Sequence, residues 1–393
     1  MDNLKSKSLL LITPHFNTFI REQAVILKPF LAETNAVVPT PFLSNLVSHM
    51  PFIKKHYAFL RVSGESVKNI SDFKLVSPKY LTLPFSPLQK RNSSLVARSC
   101  ERYVSKNSAR FDFIHAHFLN CGFAGSNLKR IYNKPLIVTT HGGDFYDLPF
   151  KDSRYNAVAR FVLNSADQVI TVSKWYQEKL LSLGANANKL CVIPNGYNPN
   201  LFKPMSLSEA RRLVGLPADK KVLLSVGNLV DVKGHSFLLD AMTSVSKQQS
   251  DILLVIIGSG PLSESLRRKT RKLELEKNVM FVGGKKHIEI PIWMNASDVF
   301  IMPSLKESFG VVLIESLACG KPVVGTRVGG IPEIISQDNV GIKVEPANPS
   351  CLADGILSAL NKRWSQSEIL NFASQYSWNK IINKILAVYR KVI

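Results

Sequence analysis

Short, uninterrupted runs of apolar residues recur along the whole chain, separated by longer segments with a helical pattern. Continuous apolar runs of this length are typical of strands buried on both faces of a parallel sheet. Segments such as Ser236 to Gln248 and Leu262 to Glu276 have helical spacing, so the pattern predicts repeated βα units. The predicted strands are Ser8 to Thr13, Phe111 to His115, Pro135 to Thr140, Gln168 to Val172, Leu190 to Ile193, Lys221 to Val226, Asp251 to Ile257, Val279 to Val282, Asp298 to Met302, Pro322 to Gly325 and Val340 to Val344.

Pro, Gly and Asn cluster between Pro194 and Pro204, which indicates a break between two sets of βα units. The 393 residues are too many for one compact α/β core. We therefore expect two doubly wound, Rossmann-like parallel-sheet domains, residues 1–203 and 204–375, and a C-terminal helix over residues 376–393. Because open parallel sheets bind ligands beyond the carboxyl ends of their strands, two such domains are expected to face each other across a cleft.

The segment from Glu307 to Glu315 places two carboxylates across the predicted start of a helix. An acid within an otherwise apolar helical stretch is costly unless it has a partner. Gly310 would let backbone N–H groups at the helix start approach an anion closely. A carboxylate that binds ribose hydroxyls has precedent in dinucleotide sites. The segment therefore predicts a site for a diphosphate with a sugar on each side.

This part of the sequence resembles the donor-site signature of the retaining glycosyltransferases with the GT-B fold, known as family 4 or group 1. In that family, two Glu residues with seven residues between them precede a Gly-Lys/Arg-Pro-Val-Val strand and a Gly-Gly-x-Pro-Glu turn. The chain has all three elements in order, ending with Gly320 to Val324 and Gly329 to Glu333. The resemblance implies an N-terminal acceptor-binding domain, a C-terminal donor-binding domain and a last helix that crosses back to the first.

The resemblance also implies roles for the segment itself. Glu307 is expected to be a catalytic residue that contacts the donor sugar, and Glu315 is expected to bind the ribose. Phe309, Gly310 and Val311 surround the helix start and are expected to bind substrate.

The run from Gly227 to Gly234 resembles the family's Gly-Arg-Leu-x-x-x-Lys-Gly element, whose cations neutralise the donor diphosphate. Lys233 matches the family's lysine and is expected to be catalytic, because a fixed cation stabilises the departing diphosphate. Asn228 stands where arginine is usual. Its amide can hydrogen-bond a phosphate oxygen but cannot offset charge.

Three further elements of the resemblance lie earlier in the chain. His141, in a His-Gly-Gly-Asp sequence, corresponds to a family histidine that contacts the donor sugar, so His141 is expected to be catalytic and Asp144 to bind substrate. The alternative for His141 is a buried histidine with a structural role. Asn195 lies in a Pro-Asn-Gly turn, and Asn17 in the loop where many relatives have Gly-Gly; both are expected to bind substrate.

No Asp-x-Asp motif stands in a position suited to the donor, and relatives generally act without a divalent metal. We therefore expect no metal and no cofactor, with a nucleotide sugar of the UDP or GDP type as donor substrate.

The chain has 50 Lys and Arg against 29 Asp and Glu, a net charge of +21. Between Lys54 and Arg130 there are 14 basic and 4 acidic residues, mixed with aromatic and apolar ones. This mixture favours binding to the anionic surface of a membrane. The alternative is a basic soluble protein without a membrane partner. No motif for reading nucleic acid occurs, so no specific nucleic-acid partner is expected.

The five cysteines are widely spaced, and no apolar stretch reaches the roughly 18 residues of a spanning helix. We expect a cytoplasmic protein that is peripheral on the inner face of the membrane. The leading function is a retaining glycosyltransferase with a glycan or lipid-linked acceptor, as in surface polysaccharide assembly. The alternatives are a catalytically degenerate nucleotide- or membrane-binding protein and a nucleotide-sugar epimerase on the same fold.

Overall fold

A computed structural model describes residues 3–16, 18–42, 74–80, 92–107 and 109–393 of the chain. The chain divides into two compact units. The first unit comprises the residues up to Pro194 together with Asn379–Ile393, and the second unit comprises Asn195–Trp378. The division falls at Pro194, earlier than the boundary expected at residue 203. The assignment of acceptor and donor roles to the two units stays a prediction.

The first unit is built on a parallel sheet whose strand order, among the described residues, is β4-β2-β1-β6-β7-β8-β9. Its central strands are buried along their whole length, as continuous apolar runs predict. A separate short parallel pair joins β3 to β5. The bounds are β1 Ser8–Ile12, β2 Glu33–Val37, β3 Thr40–Pro41, β4 Lys74–Val76, β5 Lys79–Tyr80, β6 Phe113–His117, β7 Leu136–Thr140, β8 Gln168–Thr171 and β9 Leu190–Val192.

Helices connect these strands, and side-chain caps fix where some of them begin. Asp152 accepts a hydrogen bond from the Arg154 N–H at the start of α6 (Ser153–Ser165), and Ser173 accepts one from the Tyr176 N–H at the start of α7 (Lys174–Ser182). The helices are α1 Thr18–Leu27, α2 Asn92–Lys106, α3 Leu119–Tyr132, α4 Gly143–Tyr146, α5 Leu148–Lys151, α6 Ser153–Ser165 and α7 Lys174–Ser182, with 3₁₀ turns at Asn3–Ser6, Lys28–Phe30 and Ala187–Lys189.

The second unit has a parallel sheet in the order β12-β11-β10-β13-β14-β15. The strands wind outward in one direction from β10 and in the other from β13, which is the doubly wound arrangement. Their bounds are β10 Lys221–Val226, β11 Ile252–Ile257, β12 Val279–Gly283, β13 Val299–Met302, β14 Val323–Thr326 and β15 Gly341–Val344.

The helices of the second unit cover this sheet and enclose a core of Leu, Ile and Val side chains. Their bounds are α8 Leu207–Val214, α9 His235–Gln248, α10 Ser263–Lys272, α11 Ile290–Ala296, α12 Val311–Ala318, α13 Ile331–Ile334, α14 Pro349–Asn361 and α15 Gln366–Ala373, with 3₁₀ turns at Asp231–Lys233, His287–Glu289 and Ser374–Tyr376.

The last helix, α16 (Trp378–Val392), belongs from Asn379 onward to the first unit. Tyr389 is fully buried there, its hydroxyl lies 2.7 Å from His115 Nδ1, and its ring packs 4.9 Å from that of Phe113. Within the described residues, no helix has the length and apolar character needed to cross a membrane.

The predicted α/β class with two doubly wound parallel sheets is confirmed. All the predicted strands are present, with ends shifted by at most two residues. Two strands of the first sheet, β2 and β4, were not predicted. In β2 the buried side chains include Thr34 and Asn35, so this strand lacks the apolar run that marks the others.

Candidate active site

The carboxyl ends of β10 and β13 define the candidate site of the second unit. These two strands are neighbours, and the chain winds away from them in opposite directions, which leaves a crevice beyond their ends. The loop after β10 carries Asn228 and Lys233, and the loop after β13 carries Glu307. The topology therefore brings Glu307 to the loop of Asn228 and Lys233, although 74 positions separate Glu307 from Lys233 in the sequence.

Lys233 and Glu307 form an ion pair in this crevice. Lys233 Nζ lies 2.6 Å from Glu307 Oε2, and the two side chains are 26% and 13% exposed. The Ser308 N–H also donates to Glu307 Oε1 at 3.2 Å. Gly329, at φ +53°, packs so tightly on this loop that a Cβ atom would overlap the Glu307 carbonyl oxygen. Both side chains and the backbone behind them are therefore held in place while still accessible to a ligand.

Helix α12 begins directly after this ion pair. Gly310 precedes it with a φ of +101°, a left-handed conformation that favours glycine. The Phe309 ring is buried and lies 6.0 Å from that of Tyr376, whereas Val311 is partly exposed. The unpaired N–H groups of this helix start can bind an anion, as the sequence predicted.

Glu315 lies in the middle of α12 and is 4% exposed. The structure gives this buried carboxylate a partner that sequence reasoning missed: His287 Nε2 lies 2.7 Å from Glu315 Oε1. His287 belongs to the 3₁₀ turn that follows β12 at the same edge of the sheet. No sequence motif includes His287. The sequence indicated only that this histidine follows shortly after the carboxyl end of a predicted strand.

Two further residues line the loop after β10. Asn228 is exposed, so its amide is accessible to a ligand. His235 was not predicted; it is buried two residues beyond Lys233, and within the described residues neither of its ring nitrogens has a hydrogen-bond partner. Burial, together with the charge of Lys233, lowers the pKa of His235 to about 4, so its ring is neutral at physiological pH.

The first unit has its own cluster at the carboxyl ends of β6 and β7. His117 Nδ1 lies 2.8 Å from His141 Nε2, and the two rings are nearly parallel. Burial, with the neighbouring imidazoles of His115 and His15, lowers the pKa of His141 to about 3. In the structure His141 is a neutral histidine that is hydrogen-bonded to His117. Sequence reasoning did not identify His117 as its partner. The described residues contain no group of three or more side chains arranged to hold a metal ion.

The backbone around this histidine pair is constrained. Phe118 has a φ of 68°, which bulky residues rarely adopt, and its ring packs 5.0 Å from that of His141. The Tyr176 hydroxyl donates to the carbonyl oxygen of Gly142 at 2.5 Å. The loop that carries His141 is therefore fixed from both sides.

Asp144 has a structural contact in addition to its predicted role. Its Oδ2 accepts a hydrogen bond from the Leu119 N–H at 2.7 Å, at the start of α3. The residue is partly exposed, but Oδ1 is buried and has no partner among the described residues. Burial raises the pKa of Asp144 to about 7, against the opposing effect of the hydrogen bond from the Leu119 N–H. Substrate binding by Asp144 stays a prediction.

The two remaining predicted residues are placed differently. Asn195 is buried at the start of the second unit, and the Trp378 ring packs so closely on its neighbour Gly196 that a side chain there would overlap it. This packing accounts for the glycine of the Pro-Asn-Gly turn, while the role of Asn195 stays a prediction. Asn17 lies outside the described residues.

Comparison with known proteins shows the family of this chain. The family model of the glycosyl transferases group 1 matches residues 208–376, and that of glycosyltransferase family 4 matches residues 61–201. An uncharacterized glycosyltransferase of Methanocaldococcus jannaschii is 33% identical over 299 residues, which cover 72% of this chain and 75% of that relative.

Two solved structures have the same fold. Sucrose-phosphate synthase from Thermosynechococcus elongatus matches 98% of both chains with a TM-score of 0.79 at 22% identity. HepE of Anabaena, in complex with UDP-glucose, matches 98% of this chain and 100% of its own with a TM-score of 0.74 at 21% identity. The chain belongs to the group 1, family 4 glycosyltransferases, which are transferase enzymes of the GT-B fold.

Proposed function

We propose that the protein transfers a sugar from a nucleoside diphosphate sugar, with UDP as the nucleotide, to a hydroxyl group of a glycan or lipid-linked acceptor. The transfer proceeds with retention at the anomeric carbon and without a divalent metal. The observation that carries the proposal is the contact between Lys233 and Glu307 beside the start of α12. The UDP-glucose bound to the Anabaena neighbour supports the choice of nucleotide.

Lys233 and the start of α12 act on the leaving group in this mechanism. As the glycosidic bond breaks, the departing diphosphate gains negative charge. An ammonium group and helix N–H groups already aimed at it stabilise the transition state more than the ground state. The residues needed for charge neutralisation are thus supplied by the protein, which supports a reaction without a metal.

Two carboxylates bind the donor on either side of that diphosphate. Glu307 accepts hydrogen bonds from the transferred sugar, and its ion pair with Lys233 sets the distance between the sugar and phosphate contacts. Glu315 accepts hydrogen bonds from the ribose hydroxyls. His141, uncharged and hydrogen-bonded to His117, is proposed to act as a hydrogen-bonding group rather than as a cation.

A basic stripe on α2 supports an anionic acceptor. Arg98, Arg102 and Lys106 are exposed and follow one another at intervals of four residues, so they share one helix face. Such a face attracts the phosphates of lipid-linked glycans and of an anionic membrane. The aromatic and basic segment from His49 to Arg61 lies outside the described residues. We accordingly propose a peripheral enzyme of surface polysaccharide assembly on the inner face of the membrane.

Release of UDP tests the proposal. We expect nucleotide release from UDP-sugars to rise several-fold when a lipid-linked or glycan acceptor is added, and to persist in excess EDTA. NMR of the product should show the anomeric configuration of the donor. Loss of activity in EDTA, or an inverted product, would contradict the metal-independent or the retaining part of the proposal. No release from any of the UDP-, GDP- or ADP-sugars would contradict the donor class.

A further inference from the structure

The partner of Glu315 has no role in the function proposed above. Glu315 is almost completely buried, and an ionised carboxylate in such a place needs a hydrogen-bond donor. His287 provides that donor at 2.7 Å, and within the described residues it is the hydrogen-bond partner of this side chain. The contact joins two elements, α12 and the turn after β12, through residues that are 28 positions apart in sequence.

The imidazole of His287 is held independently of Glu315. Its 3₁₀ turn is closed by a hydrogen bond from the Lys286 N–H to Glu289 Oε2 at 2.9 Å and by one from the Glu289 N–H to the Lys286 carbonyl, also at 2.9 Å. The buried ring of Phe202 packs edge-on against the imidazole, with centroids 5.0 Å apart. The orientation of His287 is thus set by the protein, so its N–H can fix the carboxylate.

The contact leaves the carboxylate free to bind a diol. A carboxylate has about four lone-pair directions over its two oxygens, and His287 occupies one of them on Oε1. Two ribose hydroxyls need two acceptor positions, which the remaining directions supply. Binding of His287 and of a ribose to Glu315 is therefore compatible, and His287 need not leave when a nucleotide binds.

We propose that His287 is a positioning residue for the donor nucleotide: it holds Glu315 in the orientation that accepts the ribose hydroxyls and so favours ribose over 2′-deoxyribose. This inference rests on the proposed function, in which Glu315 binds the ribose. The required species is an imidazole with a hydrogen on Nε2, which both the protonated ring and one neutral tautomer supply.

Calorimetric titration with a nucleotide and its 2′-deoxy analogue tests the inference. The wild type is titrated with UDP, GDP and ADP, and the tightest ligand is compared with its deoxy form in four variants: His287→Ala, His287→Gln, Glu315→Ala and, as a matched control, Ile288→Ala. Ile288 is on the same turn and is 69% exposed. In His287→Ala we expect affinity for the ribonucleotide to fall about tenfold, the size of a lost hydrogen bond to a charged group.

A change in the preference for ribose distinguishes a positioning role of His287 from a general structural effect. In His287→Ala the affinity for the deoxynucleotide should change less than about threefold, because the lost hydroxyl already removes a bond that Glu315 would accept. The preference for ribose should therefore shrink in His287→Ala, as it should in Glu315→Ala. His287→Gln keeps a side-chain N–H and should recover affinity to within about threefold, and Ile288→Ala should resemble the wild type.

Each of the other outcomes contradicts either the role of His287, the ribose contact of Glu315 or the proposed function. Tighter nucleotide binding in His287→Ala would mean that His287 competes with the ribose, and unchanged selectivity would remove its positioning role; both leave the function proposed above intact. Unchanged selectivity in Glu315→Ala would instead remove the ribose contact on which the inference rests. Failure of the wild type to bind any of the three nucleotides would overturn the proposed function together with the inference. A melting temperature measured for each variant separates misfolding from these outcomes.

Discussion

Lys233 Nζ lies 2.6 Å from Glu307 Oε2, although 74 positions separate the two residues in the sequence. The contact joins the loops that follow two neighbouring strands, β10 and β13, at the point where the sheet changes its winding direction. One ion pair therefore links the group proposed to bind the diphosphate with the group proposed to bind the transferred sugar. Loss of either residue should disturb both functions.

Substitution of the lysine tests this link. Lys233→Ala should lower kcat by about 10²–10³, because the transition-state charge on the leaving diphosphate loses its cation. Lys247→Ala, which removes an exposed lysine of α9, is the matched control and should leave kcat unchanged. Steady-state kinetics with a UDP-sugar measures both. A decrease in kcat of less than about fivefold for Lys233→Ala would remove Lys233 from the catalytic site.

Gly329 offers a test of the backbone behind Glu307. Gly329→Ala adds a Cβ atom that overlaps the Glu307 carbonyl oxygen, so the loop must move and donor affinity should fall at least tenfold. Gly215→Ala is the control: its φ is also positive, at +69°, but nothing lies within 4 Å of the added atom. It should cost only the left-handed strain of about 1–2 kcal/mol in unfolding free energy, with donor affinity retained. Equal donor affinity in the two variants would contradict the proposed role of this packing.

Asp144 predicts a particular pH dependence of stability. Its pKa is raised to about 7 in the folded protein, so the native state keeps a proton that the unfolded chain releases above about pH 4. The stabilisation is complete below pH 4 and is lost as pH rises to 7, at up to about 1.4 kcal/mol of unfolding free energy per pH unit.

Asp144→Asn isolates this contribution, since the amide oxygen can still accept the bond from the Leu119 N–H. Urea unfolding of both proteins between pH 4 and 8 should give similar values at pH 4 and a higher unfolding free energy for Asp144→Asn at pH 8. Parallel curves for the two proteins would show that the native carboxyl group titrates as it does in the unfolded chain.

The buried histidines of the first unit predict the opposite trend. Burial lowers the pKa of His115 to about 3, and that of His141 is lowered to the same range, so both rings stay neutral where the unfolded chain takes up protons. Their contribution is complete above pH 6.5 and is lost as pH falls towards 3.

His115→Gln should therefore weaken the dependence of unfolding free energy on pH between 6.5 and 4 by up to about 1.4 kcal/mol per pH unit. Comparing slopes, rather than absolute stabilities, corrects for the lost contacts of His115 with Tyr389 and Thr139. An unchanged slope would mean that His115 is protonated to the same extent in the folded and unfolded states.

The sequence predicts most of the fold because most strands are continuous apolar runs. This signal fails where a strand buries polar side chains. Strand β2 was missed since Thr34 and Asn35 take core positions. Strand β6 was predicted to end at His115 but continues to His117, so the stacking of these two residues, on the same face of the strand, was not anticipated.

Within the candidate site, motif spacing identified Lys233, Glu307 and the helix start at Gly310, because these residues follow the ends of predicted strands. It could not identify His287, whose contact with Glu315 depends on the packing of a turn after the edge strand β12. A long-range pair without a local pattern is visible only once the backbone is placed.

The position of Tyr389 has a consequence for synthesis of the protein. Its ring is fully buried against Phe113 in the first unit, yet Tyr389 is synthesised after the entire second unit. Domains generally fold during translation in the order in which they leave the ribosome. Here the second unit, Asn195–Trp378, can complete its core before the first unit does. The first unit is translated earlier, but its core lacks Tyr389 beside His115 until the residues beyond 378 emerge.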